Sequence, residues 1–549
     1  MSGSAGGGLS RAGAGILARL PRGRASDLLV LLGLLALATL LRLPDFGTRG
    51  PWDTDQGEQM LAIRAIARGQ LTLLGPPTST GGLHHGAVFY YLGALFALPS
   101  GGDDPDAVTF GIVLGGIATV GFTWWLARAA AGPRGAAVAG LVAGLLAAVS
   151  AQMVDASVRL WNPAFVAPAA AFALAAAVEG HRRRDPRWWV PVAVGFVLAG
   201  QSHVLAWVLA VPLGVFALAE LRRTGRRAVP WLVVAAAIVA VSFVPLLVNE
   251  LTTGFSELRA LVRARGGAAD DAPDLGVRLG FVPLRILAIP LVGDINRALA
   301  VIPAGVAVVV GAAVLAIRDR AAGGGGDAGG GGLRETPAAA LLAAGLVLGA
   351  VVLALGAPWL ATVTPLYVDH YHLALDPLVF ALVGLGAATL WTRGRGPAGA
   401  PGAGGRGRGA GRALAATVVA AIVGWNLVAV PLPAVNADGG WPAGLAAGRR
   451  VVDRLGGAGA LVVGVPRFKK TTAVDYPMTI LGSPPASAGA ATRVVVLCDR
   501  LFEEVVGSAC LGPAEAARLG EVGVVPGRLV DRFEAAPGRW ISTYEIAGR

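Results

Sequence analysis

Long apolar blocks alternate along the chain with short polar connectors that carry arginine, and this alternation sets the expected architecture. The blocks run for about 16–24 residues with almost no charges, the length of helix that crosses a hydrocarbon core. The first covers residues 28–43. Pro44, Asp45 and Phe46 follow it without a small-residue cleavage motif, so it is expected to stay as an uncleaved first helix. Residues 188–221 test the pattern, because as one helix they would reach about 50 Å, too long for a single crossing. Two short helices with a tip at Gln201-Ser202-His203 satisfy both the length and the basic clusters at either end. Residues 87–99 are short for a crossing and are expected to form an interfacial helix.

Composition agrees. Of 549 residues, 55% are hydrophobic and only 15% charged, against about 25% charged in a soluble domain. The net charge of +12 does not signal nucleic acid, since no binding motif or aromatic interleaving accompanies the arginines. They cluster between apolar blocks: Arg11 to Arg24, Arg128 with Arg134, Arg182 to Arg187, Arg222 to Arg227, Arg318 to Arg334, and Arg393 to Arg412. If each cluster lies in the cytoplasm, an even number of spans joins each to the next. The total is about eleven spans, with the N-terminus inside and the C-terminal segment outside. Outer borders then fall at residues 45–86, 152–163, 201–203, 249–298 and 358–371. The Gly-rich stretches 323–332 and 394–411 lack the lysine and spacing of a phosphate loop and read as cytoplasmic linkers.

The chain thus divides into a basic cytoplasmic segment (1–26), a mainly α, polytopic transmembrane domain (27–432) and a small extracytoplasmic α/β domain (433–549). In the last, helix-like segments at 443–455 and 514–519 alternate with strand-like segments at 460–465, 493–498 and 540–546. Both cysteines, Cys498 and Cys510, lie there. An oxidising outer location permits a disulfide, and two free buried thiols are the alternative.

Polar residues gather at the outer borders. In the first loop Asp53, Asp55 and Glu58 stand within six residues at the expected start of a helix over 56–68, with Asp55 and Glu58 on one side. Capping explains one carboxylate there. Three fit general-base or metal work, with Asp55 the leading candidate base. His84 and His85 close this loop, and a divalent metal held by Asp55, Glu58 and His84 is a possible arrangement. The second loop offers Arg159 and Asn162, placed for a lipid phosphate, and Asp155, placed to pair with Arg159. His203 lies at the hairpin tip. Arg259, Arg263, Arg265, Arg278 and Arg285 break the positive-inside trend in the fourth loop, as expected of an anion site. His370, Tyr371 and His372 mark the last border.

At these residues the chain resembles the GT-C-fold glycosyltransferases of the glycosyltransferase 39 type, related to protein O-mannosyltransferases and lipid A aminoarabinose transferases. The matching segments are DTDQGEQMLAIRAIARGQ, GPPTSTGG, FYYLGALF, SVRLWNPAF, GQSHVLAWVL, LVNE and YVDHYHLALDP, in that order. Together they extend over roughly residues 28–430. The resemblance implies a polyprenyl-phosphate sugar donor in the outer leaflet and an acceptor that is protein, lipid or glycan. It also implies a first-loop aspartate as base, inversion at the sugar, and lipid phosphate as leaving group. That aspartate maps onto Asp55. Asp53 and Glu58 are secondary candidates, because Gln56 follows Asp55 where the family commonly has a second carboxylate. Arg159, Asn162, His203, Arg285, His370 and Tyr371 are the expected donor and phosphate ligands. Two other classes compete: a transporter or lipid flippase, and a catalytically inactive scaffold that binds lipid carriers. A transporter should show internal repeats and ionisable residues at mid-membrane, and neither is seen.

Overall fold

A computed structural model of the chain describes residues 22–78, 82–267, 273–293, 299–323, 337–356, 370–393, 405–429, 434–500 and 510–548. The basic residues before 22, Arg334, most of both Gly-rich stretches and residues 358–369 of the last expected loop lie outside them.

Each apolar block becomes a helix, since a backbone in hydrocarbon must satisfy its hydrogen bonds internally. Helix α1 spans Arg22–Arg42, and the first loop carries α2 (Thr54–Ala67) and α3 (Val88–Ala97). Then come α4 (Pro105–Ala130), α5 (Ala136–Val149) and α6 (Val166–Arg183). The expected hairpin is α7 (Trp189–Ser202) and α8 (Ala210–Thr224), with His203 and a 3-10 turn between them. Helices α9 (Val229–Ser242) and α10 (Val244–Thr253) form one bent crossing. Pro245 cannot donate and its ring clashes one turn back, and Gln201 Nε2 donates to the Ser242 carbonyl at the bend, 3.1 Å away. Helix α11 (Ser256–Gly267) and α12 (Leu275–Val292) precede α13 (Ile302–Gly323), α14 (Ala338–Gly356), α15 (Asp376–Thr392) and α16 (Gly405–Gly424).

Nine described helical stretches are long and apolar enough to cross a membrane. Helix α12 is one of them, but its contacts lay it across one end of the bundle. Near its start Arg278 donates to the Leu355 carbonyl at the end of α14. At its other end the carbonyls of Pro290, Leu291 and Val292 accept from Ser150, Asn426 and Trp425, which follow α5 and α16. All these helix ends lead into the same cluster of loops. The expected count of about eleven thus stands against nine described candidates, beside which α5 and α15 are shorter apolar helices. Helix α3 is too short to cross.

The C-terminal domain holds α17 (Gly440–Leu455), β1 (Ala460–Val465), α18 (Thr472–Ile480), β2 (Arg493–Asp499), α19 (Pro513–Glu521), β3 (Pro526–Ala536) and β4 (Arg539–Ile546). The sheet order is β1-β2-β4-β3, with β1 and β2 parallel and the other pairs antiparallel. Val495 and Leu497 of β2 pack with α17 and α18 on one face. Val494, Val496 and Cys498 pack with α19 on the other. The sequence pattern did not announce α18 or β3. Proline interrupts α18 at position 477, and β3 is a mostly half-exposed edge strand without clean apolar alternation. Cys498 and Cys510 form a disulfide.

Aromatic packing seats this domain on the first loop. Trp52 lies 4.4 Å from Trp441 and 5.6 Å from Tyr476, centroid to centroid. The Trp52 indole donates to the Ala473 carbonyl, and the Tyr476 hydroxyl donates to the Gly102 carbonyl.

Candidate active site

Helix α2 begins in a capping box. The Asp53 carboxylate accepts from the Thr54 amide at 2.7 Å, and Gln56 Oε1 accepts from the Asp53 amide at 3.0 Å. Asp53 is also bound from the C-terminal domain, by Lys469 at 2.8 Å and Arg539 at 2.9 Å. Both cations reach Asp499, at 2.8 and 3.6 Å, which closes a four-membered ionic network. Glu58 pairs with Lys470 at 2.7 Å across the same seam. Asp55 lies between these two carboxylates and has no ion pair or side-chain hydrogen bond among the described residues.

The electrostatics separate Asp53 from Asp55. Burial opposes ionisation of Asp53, but Arg539 and Lys469 outweigh it and hold its pKa below the usual aspartate range. Asp55 is pushed upward by enclosure first, then by the like charges of Asp53 and Glu58. Its carboxylate nonetheless opens onto free space, because the surrounding protein walls a cavity rather than covering it.

That cavity measures about 650 Å³ and lies between the bundle end and the C-terminal domain. Asp53, Asp55, Glu58, Arg159, Asn162, His203, His370 and Tyr371 all line it, although they come from four separate segments of chain. Hydrogen bonds explain the convergence. Gln56 Nε2 donates to the Leu160 carbonyl at 3.1 Å, and Gln59 Nε2 to Asn162 Oδ1 at 3.4 Å. Asn162 in turn donates to the Ser202 carbonyl at 2.8 Å. One chain of amides thus ties α2, the 157–163 loop and the α7–α8 tip together. Arg159 is held by Asp155 in a two-bond pair of 2.6 and 2.9 Å.

Two expected ligands lie elsewhere. Arg285 is buried at 1% exposure on α12 and does not line the cavity. His84 turns away to pair with Glu257 at 2.9 Å. Arg259, Arg263 and Arg278 are not among the described lining residues either, and the side chain of Arg265 lies outside the described ones. Asp55, Glu58 and His84 do not gather, and no cluster of three or more His, Cys, Asp or Glu side chains suited to a metal ion occurs among the described residues.

The cavity also has lining residues that sequence reasoning did not select, among them His85, Trp161, Phe468, Lys469 and Lys470. A compositional signal marked the last two. They are the only lysines in a chain whose remaining basic residues are all arginine, and both reach first-loop carboxylates.

Residues 84–248 match the sequence profile of the dolichyl-phosphate-mannose-protein mannosyltransferase family. No curated protein matches the chain. Among solved structures, the chain is similar to ArnT from Cupriavidus metallidurans in the apo state, with a TM-score of 0.57 and 12% identity over 95% of this chain and 98% of that one. ArnT from the same organism bound to undecaprenyl phosphate gives a TM-score of 0.53 and 12% identity over 94% and 97%. The apo oligosaccharyltransferase of Archaeoglobus fulgidus gives 0.52 and 12% over 95% of this chain and 74% of that chain. At this identity the structural likeness establishes a shared fold.

Proposed function

We propose that the chain is a membrane glycosyltransferase with the GT-C fold, and that it moves a sugar from a polyprenyl-phosphate donor to an acceptor hydroxyl or amine on the outer side of the membrane, with Asp55 as general base. The observation that carries this reading is the difference among the three first-loop carboxylates. Asp53 and Glu58 are each neutralised by a lysine, whereas Asp55 faces the cavity unpaired. Its raised pKa also makes it a better proton acceptor than an ordinary aspartate.

In the proposed reaction the acceptor oxygen or nitrogen attacks the anomeric carbon as Asp55 takes its proton. The bond from that carbon to the phosphate oxygen breaks with its electron pair, and configuration inverts. Lipid phosphate leaves as an anion and needs no acid, but its charge needs cations. Arg159, oriented by Asp155, is one such cation. Lys470, half-exposed at the cavity wall, is the other. Asn162 supports the wall by its bond to Ser202. Arg285 takes no part in this reading. The fold shared with ArnT, whose bound form holds undecaprenyl phosphate, supports the choice of donor. A cavity at one end of the bundle fits a transferase better than a transporter, whose site belongs near mid-membrane.

Asp55→Asn tests the assignment. Loss of a general base lowers turnover by about 10²–10⁴-fold, so transfer should fall at least a hundredfold while undecaprenyl phosphate still binds. Full transfer by a correctly inserted Asp55→Asn enzyme would overturn it.

A further inference from the structure

One wall of the cavity carries no formal charge and is built from rings. His85 lies 4.6 Å from His203, His203 5.1 Å from His370, and His370 4.2 Å from Trp161, centroid to centroid. All four line the cavity. His85 and His203 are more than nine-tenths buried.

Backbone contacts define the state of these two imidazoles. The Val204 amide donates to His85 Nδ1 at 3.0 Å, and the Leu205 amide donates to His203 Nδ1 at 3.3 Å. A nitrogen that accepts a hydrogen bond carries no proton, so each ring is the Nε2–H tautomer. Neither Nε2–H has a hydrogen-bond partner among the described residues. Burial, and then His84, pushes His85 down to about 4. His203, at the hairpin tip, is likewise pushed down by burial and then by His370 and His85. The wall is therefore neutral, donor-bearing and aromatic. A phosphate is better served on the Arg159 and Lys470 side, where charge-assisted bonds are available.

We propose that His85, His203, His370 and Trp161 form the subsite for the donor's sugar ring, and that it takes a neutral, hydroxyl-rich sugar. The Nε2–H groups of His85 and His203 donate to sugar hydroxyls, and the Trp161 ring, half-exposed in the cavity, covers an apolar C–H face. A uronate is disfavoured because the wall offers its carboxylate no cation and burial resists protonation of the histidines. The proposal rests on the lipid-linked donor reading, and it moves His203 and His370 from the phosphate to the sugar.

The test measures binding of full-length enzyme in nanodiscs to undecaprenyl phosphate, and to undecaprenyl phosphate bearing mannose, glucose, arabinofuranose or glucuronate. His85→Asn keeps an acceptor near the Nδ1 position for Val204 and deletes the Nε2–H, while His85→Gln keeps a donor near the Nε2 position. The wild type should bind a neutral glycolipid more tightly than undecaprenyl phosphate, and the glucuronate lipid less tightly than that neutral one. His85→Asn and His203→Asn should each weaken the neutral glycolipid roughly three- to tenfold, the worth of one neutral hydrogen bond. Undecaprenyl phosphate should bind them unchanged, and His85→Gln should recover most of the loss. Equal loss for both lipids, no loss for either, or preference for glucuronate would overturn the subsite alone. A wild type that binds none of the lipids would overturn both the subsite and the lipid-donor reading.

Discussion

Asp53, Asp55 and Glu58 stand within six residues at the start of α2 and have three different fates. Asp53 anchors, Glu58 balances Lys470, and Asp55 faces the cavity. Because enclosure and like charges raise the Asp55 pKa, the ionised base is lost at a higher pH than for an exposed aspartate. The acid limb of kcat/KM should therefore lie above about 4. Lys470 opposes the rise, so Lys470→Ala should move the limb further up, and Glu58→Gln should move it down. A pH–rate profile of the three enzymes checks both signs. A limb that ignores both substitutions would remove Asp55 as its source. The Lys470–Glu58 pair itself is half-exposed and contributes little to stability, on the order of 0–1 kcal/mol.

At the level of elements, the contact between α2 and α18 decides where the base sits. Thr54 and Lys470, and Thr472 and Thr54, exchange hydrogen bonds across it. Gly57 allows the approach, since a Cβ there would stand 2.1 Å from the Thr472 carbonyl oxygen. Alanine would favour the isolated helix by about 1 kcal/mol, yet Gly57→Ala should destabilise the enzyme and reduce transfer because backbone must move. Thermal melting alongside activity checks this, and a higher melting temperature would contradict it. Asp53→Asn removes the cap charge and leaves Lys469 and Arg539 sharing Asp499, which should destabilise by about 2 kcal/mol. The sign with pH follows from the depressed pKa of Asp53. Its stabilisation is complete above the unfolded value near 3.9 and fades as pH falls through the lower folded value. Asp53→Asn should therefore narrow the stability difference from wild type at acid pH, as denaturation at pH 7 and below pH 4 can show.

For the whole molecule, the odd number of crossings expected from the arginine clusters would put the basic N-terminus and the disulfide-bearing domain on opposite sides of the membrane. A phosphatase reporter fused after Arg549 should be active only if that end is exported, and the same reporter at the N-terminus should be silent. The reverse pattern would place the cavity in the cytoplasm. The ionic network and the Trp52 cluster also make the C-terminal domain part of the cavity wall, not an appendage to it. Arg539→Ala should therefore lower transfer although Arg539 does not itself line the cavity and reaches it only through Asp53.

Hydropathy and arginine placement determined the long apolar helices and the α7–α8 hairpin, because the cost of placing charge and unpaired backbone in hydrocarbon is local and leaves its mark at each position. The same local logic located Asp55 at a helix start, Arg159 with Asp155, and two cysteines in the tail. It stopped where partners are distant in sequence. Asp53 looked as promising as Glu58 until Lys469 and Arg539, more than 400 residues away, occupied it. Arg285 looked like an anion ligand until packing buried it on a helix that lies across the bundle end. His84 and His85 were indistinguishable neighbours, and the tertiary fold sent one to Glu257 and the other into the cavity wall. Local energetics fix which segments enter the membrane, but which polar side chain is neutralised, and which stays available for chemistry, depends on charges that only the folded chain brings within a few ångströms.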